Sequence, residues 1–252
     1  MTLQLQTVDS SPTVEEAVVR FLAELRTSIY TGIDRYAAAP ATNVHDQGTF
    51  TTGWEPYIRI TGDATALKFM QTLRDKIRDH YVVTGLWRHG YWTMQEAHHG
   101  TEHHELFLGA LWRLAPADGE TITQLVDAAE HLGNWSADVP PWFDWEQRRY
   151  LSFFFGADGV RLEPGAELNV PDHLRCVNIA LLAHAATGEQ RYLDLATTYG
   201  GVWAAAILAE AALPIGLLPG RVVDTFAPEE ERLYRQRVGQ GSPLLSPVDR
   251  AE

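Results

Sequence analysis

The sequence predicts a mostly helical protein built from helical hairpins. Apolar residues recur at intervals of three and four over several long segments, which is the periodicity of an amphipathic helix. Three such segments lead into a tight turn that contains glycine and an acidic residue, and another helical segment follows each turn. No part of the chain shows a convincing series of alternating strands. Together these observations predict an all-α fold of helix–turn–helix hairpins.

The N-terminal part is predicted to begin with a polar leader over residues 1–12. A long helix is predicted between Thr13 and Ala38, because its apolar residues share one helical face. Pro40 ends this helix, since proline does not fit a helix interior. Residues 40–56 are rich in Thr, Gly, Asn and Asp, and we therefore predict a loop there.

The three hairpin turns are predicted at Thr61-Gly62-Asp63, Ala117-Asp118-Gly119-Glu120 and Thr187-Gly188-Glu189. We assign all three to one hairpin domain over residues 13–227. Residues 228–252 are predicted to be a short charged helix and a frayed tail.

A long aromatic loop layer is predicted over residues 133–170, which contain many tryptophan, proline and glycine residues. Turn signals at 156–159 and 163–165 predict a short strand pair within it. A loop of this length in a compact domain is usually functional. Residues 213–220 are predicted to be a further loop.

Three motifs resemble the (α/α) toroid of carbohydrate-active enzymes: Thr61-Gly62-Asp63, Thr187-Gly188-Glu189 with Tyr192-Leu193, and Leu213–Pro219. That group includes polysaccharide lyases, uronic-acid glycosidases and sugar epimerases. The resemblance covers residues 54–220 and its motifs mark the hairpins rather than one reaction, so no single family is assigned. Fewer hairpins are visible than a closed toroid needs. The chain is therefore expected to be an incomplete toroid, a piece of a longer protein, or a protomer that completes its ring as a homo-oligomer.

Composition limits the partners of the protein. A formal net charge of −13 argues against nucleic acid and anionic membranes, which attract basic surfaces. The N-terminus lacks the pattern of a signal peptide, and no apolar run reaches the roughly 20 residues of a membrane span. Cys176 is the single cysteine, so no disulfide framework or thiolate metal cluster is expected. Its apolar neighbours predict a buried structural thiol, and a cytoplasmic location is the simplest interpretation.

Residues 87–112 are the stretch around which we expect the protein to be organised, because they contain five of the ten histidines. Thr93 and Glu96 have the spacing of a capping box, which predicts a helix that starts at Thr93. Gly100 allows the alternative that the helix starts near Thr101. A helix through this stretch places His99 and His103 on one face, which becomes apolar further along.

His99-Gly100-Thr101-Glu102-His103 matches the His-x-x-Glu-His pattern of zinc peptidases, in which two imidazoles bind the metal and the glutamate acts as the base. His99 and His103 are thus candidate ligands for a divalent metal, although no third ligand is identifiable and glycine is atypical in such a helix. A metal-dependent hydrolase is one alternative for the function.

The favoured hypothesis is cleavage of glycosidic bonds in a uronate-containing oligo- or polysaccharide by lyase-type β-elimination. Lyases that resemble this chain neutralise the uronate with Arg, His or Asn, and a His or Tyr removes the C5 proton. The candidate catalytic residues are His89, Tyr91, His99, Glu102 and His103. The candidate substrate-binding residues are Arg88, Trp92, Trp142, Trp145, Asn169, His173 and Arg175.

Two other functions remain open. A glycoside hydrolase needs two carboxylates beside the bond, and the candidates are Glu96, Glu102, Glu105, Asp144 and Glu146. A non-catalytic carbohydrate-binding or assembly subunit would use the tryptophans of the loop layer and keep the histidines for structure. The tryptophans are as well explained by pinning the loop to the core, and any one histidine is better explained as a structural residue than as a catalytic one.

The geometry of the histidine cluster is the last prediction. His99 and His103 are expected to face one cavity, within reach of Tyr91 or Glu102 and opposite the helix start at residues 172–175. The physical reason is that a buried imidazole without hydrogen bonds costs a few kcal/mol, so the polar end of the helix must be wet or ligated.

Overall fold

The computed structural model describes residues 13–39, 44–210 and 213–238. Its α-helices are α1 (Val14–Ala38), α2 (Val44–Thr51), α3 (Glu55–Thr61), α4 (Ala64–Val83), α5 (Ala97–Glu102), α6 (Gly109–Leu114), α7 (Gly119–Leu132), α8 (Leu174–Thr187), α9 (Gln190–Glu210) and α10 (Pro228–Val238). Its strands are β1 (Trp87–Arg88), β2 (Tyr91–Trp92), β3 (Gln95–Glu96), β4 (Phe143–Asp144), β5 (Arg149–Tyr150), β6 (Phe154–Gly156), β7 (Gly159–Val160), β8 (Gly216–Leu218) and β9 (Arg221–Val223).

Helices dominate the described residues, as the sequence predicts, but several short antiparallel sheets accompany them. β1 pairs with β2, β4 with β5, and β8 with β9, while β3, β6 and β7 form a three-stranded sheet. The β6–β7 hairpin turns between Gly156 and Gly159, where the sequence predicts a strand pair. The protein is therefore helix-rich with small sheets rather than purely helical.

The structure has a turn between two helices at each of the three predicted hairpin positions. α3 ends at Gly62, whose φ of +68° is the left-handed conformation that glycine adopts without strain. Asp63 then caps α4, because its Oδ1 accepts hydrogen bonds from the amides of Thr65 and Ala66. Gly188 ends α8 in the same way, with a φ of +75°.

The turn between α6 and α7 uses an aspartate as well. Asp118 caps α7 by accepting hydrogen bonds from the amides of Glu120 and Thr121. Its other carboxylate oxygen lies 2.8 Å from Nη1 of Arg74, a buried residue of α4. The same guanidinium nitrogen donates to Thr121 Oγ1 at 2.7 Å. These contacts join α4 to the start of α7.

One continuous helical rod lies between two core clusters. It consists of α5, a π-helical segment over His103–Leu108, and α6. Phe107 and Leu111 of this rod belong to the cluster formed by α1–α4. Ala97, at its other end, belongs to the cluster formed by α7–α9 and the aromatic loop layer. The histidine-rich stretch is therefore central to the fold, as predicted.

Three local predictions are wrong. Residues 44–51 of the predicted loop 40–56 form α2, and Trp54, in the turn that follows, is buried. The predicted loop 213–220 contains β8 and begins the turn to β9. The rod starts at Ala97 instead of Thr93 or Thr101, because β3 pairs with β6 before the helix begins.

The terminal predictions lie mostly outside the described residues. The polar leader at 1–12, the residues 40–43 and the tail from 239 onward are not described. The charged helix predicted to begin at residue 228 is confirmed as α10. Within the described ranges, no helix combines the length and the apolar character that crossing a bilayer requires.

Candidate functional site

The histidines of the central stretch separate into two groups. His98 and His99 lie in the first turn of α5, where their side chains are partly or largely exposed. His103 and His104 begin the π-helical segment and are buried. The two groups have different neighbours, so they define two different environments.

The first group forms the α5 site, which consists of Glu96, His98, His99, Glu102 and Asp172. His98 Nδ1 lies 3.5 Å from Asp172 Oδ1, and Glu96 Oε1 directly contacts His99 Nδ1. The two imidazole rings are 4.9 Å apart between centroids and nearly perpendicular, at 85°. The site thus holds two histidine–carboxylate dyads side by side.

Local folding explains why these side chains meet. Glu96 ends β3 and directly precedes α5, so its side chain lies beside the first helical turn and reaches His99, three residues further on. Asp172 lies in a single 3-10 turn over Pro171–His173 that precedes α8. His99 and His103 are the residues that the sequence places opposite this helix start, whereas His98 is the histidine that reaches Asp172.

Glu102 adds to the α5 site a carboxylate that belongs to neither dyad. One ring nitrogen from each of His98 and His99 and one carboxylate oxygen of Glu102 all lie within 4.8 Å of one another. Two imidazoles and a carboxylate can bind a divalent cation once the protein adjusts around it. The arrangement therefore offers either proton transfer or metal binding.

A further ion pair flanks the α5 site. Arg175 Nη1 lies 3.5 Å from Glu105 Oε2, and Asn178 Nδ2 donates to Glu105 Oε1 at 2.9 Å. With Glu96, Glu102 and Asp172 nearby, carboxylates outnumber the guanidinium of Arg175. Asp172 Oδ2 is buried and has no hydrogen bond to a described residue. The site is consequently negative when its imidazoles are neutral.

Access from solvent is through His99, whose side chain is 50% exposed. The side chain of His98 is 21% exposed. Glu102 is half-buried. A solute can therefore reach the dyads without a change in the fold, which is what a reactive site requires.

The second group lines a cavity of about 140 Å³ that also involves Trp87, His89 and Gly90. The ring of His103 lies 4.8 Å from that of Trp87. Gly90 has a φ of +77°, and a Cβ at this position would lie 2.4 Å from His104 Nε2, so only glycine fits here.

His99 and His103 therefore do not face one cavity, and the predicted His-x-x-Glu-His metal site is not formed between them. His99 is exposed beside Glu96, whereas His103 packs in the interior against Trp87 and Phe107. The side chain of His99 turns back to Glu96, whereas that of His103 lines the cavity beside Trp87. The two histidines are therefore one helical turn apart but have different neighbours.

Two other predicted site residues, Tyr91 and Arg88, donate their side-chain hydrogen bonds to backbone carbonyls. Tyr91 is buried, its hydroxyl donates to the carbonyl of Ala128 at 3.0 Å, and burial raises the pKa of the phenol well above its usual value. Arg88 is exposed and donates to the carbonyls of Asp138 and Ala157. Neither residue contacts the α5 site in the described hydrogen bonds.

Three predicted substrate-binding residues are fully buried. Trp142 donates from Nε1 to the carbonyl of Gly156 at 3.1 Å, so it pins the loop layer to the core and does not form a sugar platform. Asn169 uses its amide to bond both backbone groups of Tyr150. His173 gives both ring nitrogens to backbone groups, and burial lowers the pKa of its imidazole to about 4.

The remaining predicted tryptophans differ in exposure. Trp145 is 40% exposed, and its Nε1 donates to the carbonyl of Gly133 at 3.1 Å. Trp92 is half-buried and packs on Tyr81 and Trp87. Trp145 is the more exposed of the two, and its ring packs against Phe143 and Trp135.

Cys176 is buried, as predicted, and burial raises the pKa of its thiol to about 12. A thiol in that state is not a nucleophile near neutral pH. Comparison with protein-family models, with curated proteins and with solved structures finds no match to this chain. The function must therefore be argued from the site alone.

Proposed function

We propose that the protein is an enzyme that performs general acid–base catalysis at the α5 site. The observation that carries this proposal is the pair of adjacent dyads, His98–Asp172 and His99–Glu96. Their rings are 4.9 Å apart, so one imidazole can accept a proton from a substrate while the other donates one to it. Such a pair contains one proton donor and one proton acceptor, as general acid–base chemistry requires.

We further propose that the reaction is β-elimination at a uronate within an oligo- or polysaccharide, and that Arg175, the guanidinium beside this acidic site, neutralises the uronate carboxylate. In this reaction, neutral His99 takes the C5 proton, because it is the more exposed imidazole. The electrons of the C5–H bond form a C4–C5 double bond, and the bond from C4 to the leaving oxygen breaks. Protonated His98 then gives its proton to that oxygen, and Asp172 stabilises the charged imidazole before transfer.

The carbohydrate substrate is proposed from the resemblance of the turns at Gly62 and Gly188 to the hairpin turns of (α/α) toroids. Both glycines end a helix in the left-handed conformation, as a tight hairpin turn requires. The described hairpins are fewer than a closed toroid needs, so we propose that a second copy of the chain completes the ring. Trp145 is the partly exposed ring that we propose for sugar stacking, because Trp142 is buried.

A metal-dependent hydrolase is our second candidate, and a specific observation favours it. His98, His99 and Glu102 bring three potential ligand atoms within 4.8 Å, and the surrounding carboxylates favour a cation. A bound divalent ion would supply an activated water at this place. Glu102, which belongs to neither dyad, is the residue whose loss separates the two candidates.

A panel of acidic glycans tests the proposal. We expect an ultraviolet-absorbing unsaturated uronate to accumulate together with new reducing ends, and we expect Glu102→Gln to retain most of this activity. Reducing ends without ultraviolet absorbance, lost in Glu102→Gln and after chelation, would favour the hydrolase. Glycan retention on an affinity column without either product would contradict both enzymes and favour a binding subunit.

A further inference from the structure

A second group of potential metal ligands lies away from the α5 site, at the end of α7. His89, His131 and Asp138 each offer one ligand atom, and these atoms lie within 4.8 Å of one another. His131 is in the last turn of α7, Asp138 is in the loop that follows, and His89 is in the turn between β1 and β2. We call this group the α7 site.

The backbone fixes the position of His89. The two-residue turn between β1 and β2 has φ values of +57° at His89 and +77° at Gly90, which are the left-handed values of a type I′ turn. A histidine rarely adopts this conformation, and such strain tends to occur at functional positions. The turn directs the imidazole toward α7 and its following loop.

Asp127 orients both histidines through the ring nitrogens that are not proposed as metal ligands. His131 Nδ1 donates to the carbonyl oxygen of Asp127 at 2.8 Å, so its Nε2 carries the lone pair. His89 Nδ1 donates to the carboxylate of Asp127 at 3.0 Å, which directs its Nε2 toward Asp138. Metal-binding histidines have this arrangement in general, with the distal ring nitrogen held by a carboxylate or a backbone carbonyl.

The distances between the potential ligand atoms can be compared with those of a zinc site. His89 Nε2 lies 2.6 Å from Asp138 Oδ2, and His131 Nε2 lies 3.8 Å from Asp138 Oδ1. Ligand atoms of a tetrahedral zinc site are about 3.3 Å apart, as follows from metal–ligand bonds of about 2.0 Å. The two distances involve different oxygens of Asp138, so binding of one ion requires this side chain to turn. Asp138 is 51% exposed on its loop, which leaves it room to do so.

One ligand atom of the α7 site lies in the interior. The side chain of His131 is only 2% exposed. His131 Nε2 is buried and has no hydrogen bond to a described residue. A cation would satisfy it.

We propose that His89 Nε2, His131 Nε2 and the carboxylate of Asp138 bind one divalent first-row transition-metal ion, of which Zn²⁺ is the representative. Three protein ligands leave a coordination position for water. The ion would link the β1–β2 turn, α7 and the loop after it. Because His89 also lines the cavity beside His103 and His104, the ion would fix one wall of that cavity. The proposal does not depend on the function proposed for the α5 site.

Equilibrium dialysis of the chelator-treated protein against Zn²⁺ tests the proposal, with Co²⁺ absorbance as a second readout of imidazole coordination. We expect Asp138→Asn and His131→Gln each to bind one equivalent of Zn²⁺ fewer than the unchanged chain. Glu102→Gln should bind as many equivalents as the unchanged chain. Asp127→Asn should weaken binding about 10- to 100-fold, because it removes the carboxylate that orients His89. Asp138→Asn is the decisive variant, since its exposed position leaves folding intact.

Two outcomes would overturn the proposal. In the first, the unchanged chain binds no Zn²⁺, and His89 serves only to link Asp127 and Asp138 by hydrogen bonds. In the second, Asp138→Asn and His131→Gln bind as many equivalents of Zn²⁺ as the unchanged chain does. If only Glu102→Gln lost an equivalent, the ion would belong to the α5 site. Because binding is measured and not turnover, these outcomes are independent of whether the enzyme proposal succeeds.

Discussion

Replacing Asn169 by alanine should lower the free energy of unfolding by about 4 kcal/mol, because several buried polar groups would lose their partners at once. Asn169 Oδ1 accepts from the amide of Tyr150 at 2.9 Å and from the hydroxyl of Tyr199 at 3.2 Å. Its Nδ2 donates to the carbonyl of Tyr150 at 2.8 Å. All three residues are fully buried, so water cannot replace these bonds.

Urea unfolding followed by circular dichroism would measure this loss. Asn178→Ala is the matched control, because Asn178 is exposed and makes one described hydrogen bond, to Glu105. Its stability should change by no more than about 0.5 kcal/mol. A loss below about 1 kcal/mol for Asn169→Ala would show that the loop layer does not depend on this amide.

Acidification should destabilise the protein through His173. Its folded pKa, lowered by burial to about 4 from 6.5, means that the unfolded chain takes up the proton first as the pH falls. Stability from this group is complete above pH 6.5 and is lost progressively as the pH falls toward 4. At about 1.4 kcal/mol per pH unit, the total loss is about 3 kcal/mol.

The hydrogen bonds give the structural reason for the acid sensitivity. His173 Nδ1 accepts from the amide of Val170 at 3.1 Å, and Nε2 donates to the carbonyl of Ser152 at 3.1 Å. A second proton on the ring would remove the acceptor. Stability measured at several pH values should therefore fall less steeply in His173→Gln than in the unchanged chain, while His184→Gln should keep the full slope. Equal slopes in all three would contradict the assignment.

The hairpins were predictable because local chemistry determines them. Gly62 and Gly188 end helices in a left-handed conformation, and Asp63 caps the next helix through its own neighbours in the chain. These features depend on short-range sequence and on the need to satisfy polar groups.

Other features depend on contacts that no sequence window contains. His99 contacts Glu96 whereas His103 packs against Trp87, and nothing in the local residue pattern marks this difference. His131 and Asp138 were not predicted as ligands, because His89, with which they group, is 42 residues before His131 in the chain. The sequence left Trp142 equally open to a sugar platform and to a core contact, and its complete burial favours the core contact.

The turnover of His98→Gln and His99→Gln on an acidic glycan tests the central claim most directly. Each variant should reduce kcat by at least about 100-fold, because a positioned acid or base contributes that much or more. Both side chains are partly solvated, so folding should be retained, and His184→Gln should react at the unchanged rate. Full activity in either dyad variant, with elimination product still formed, would contradict the assignment of the α5 site.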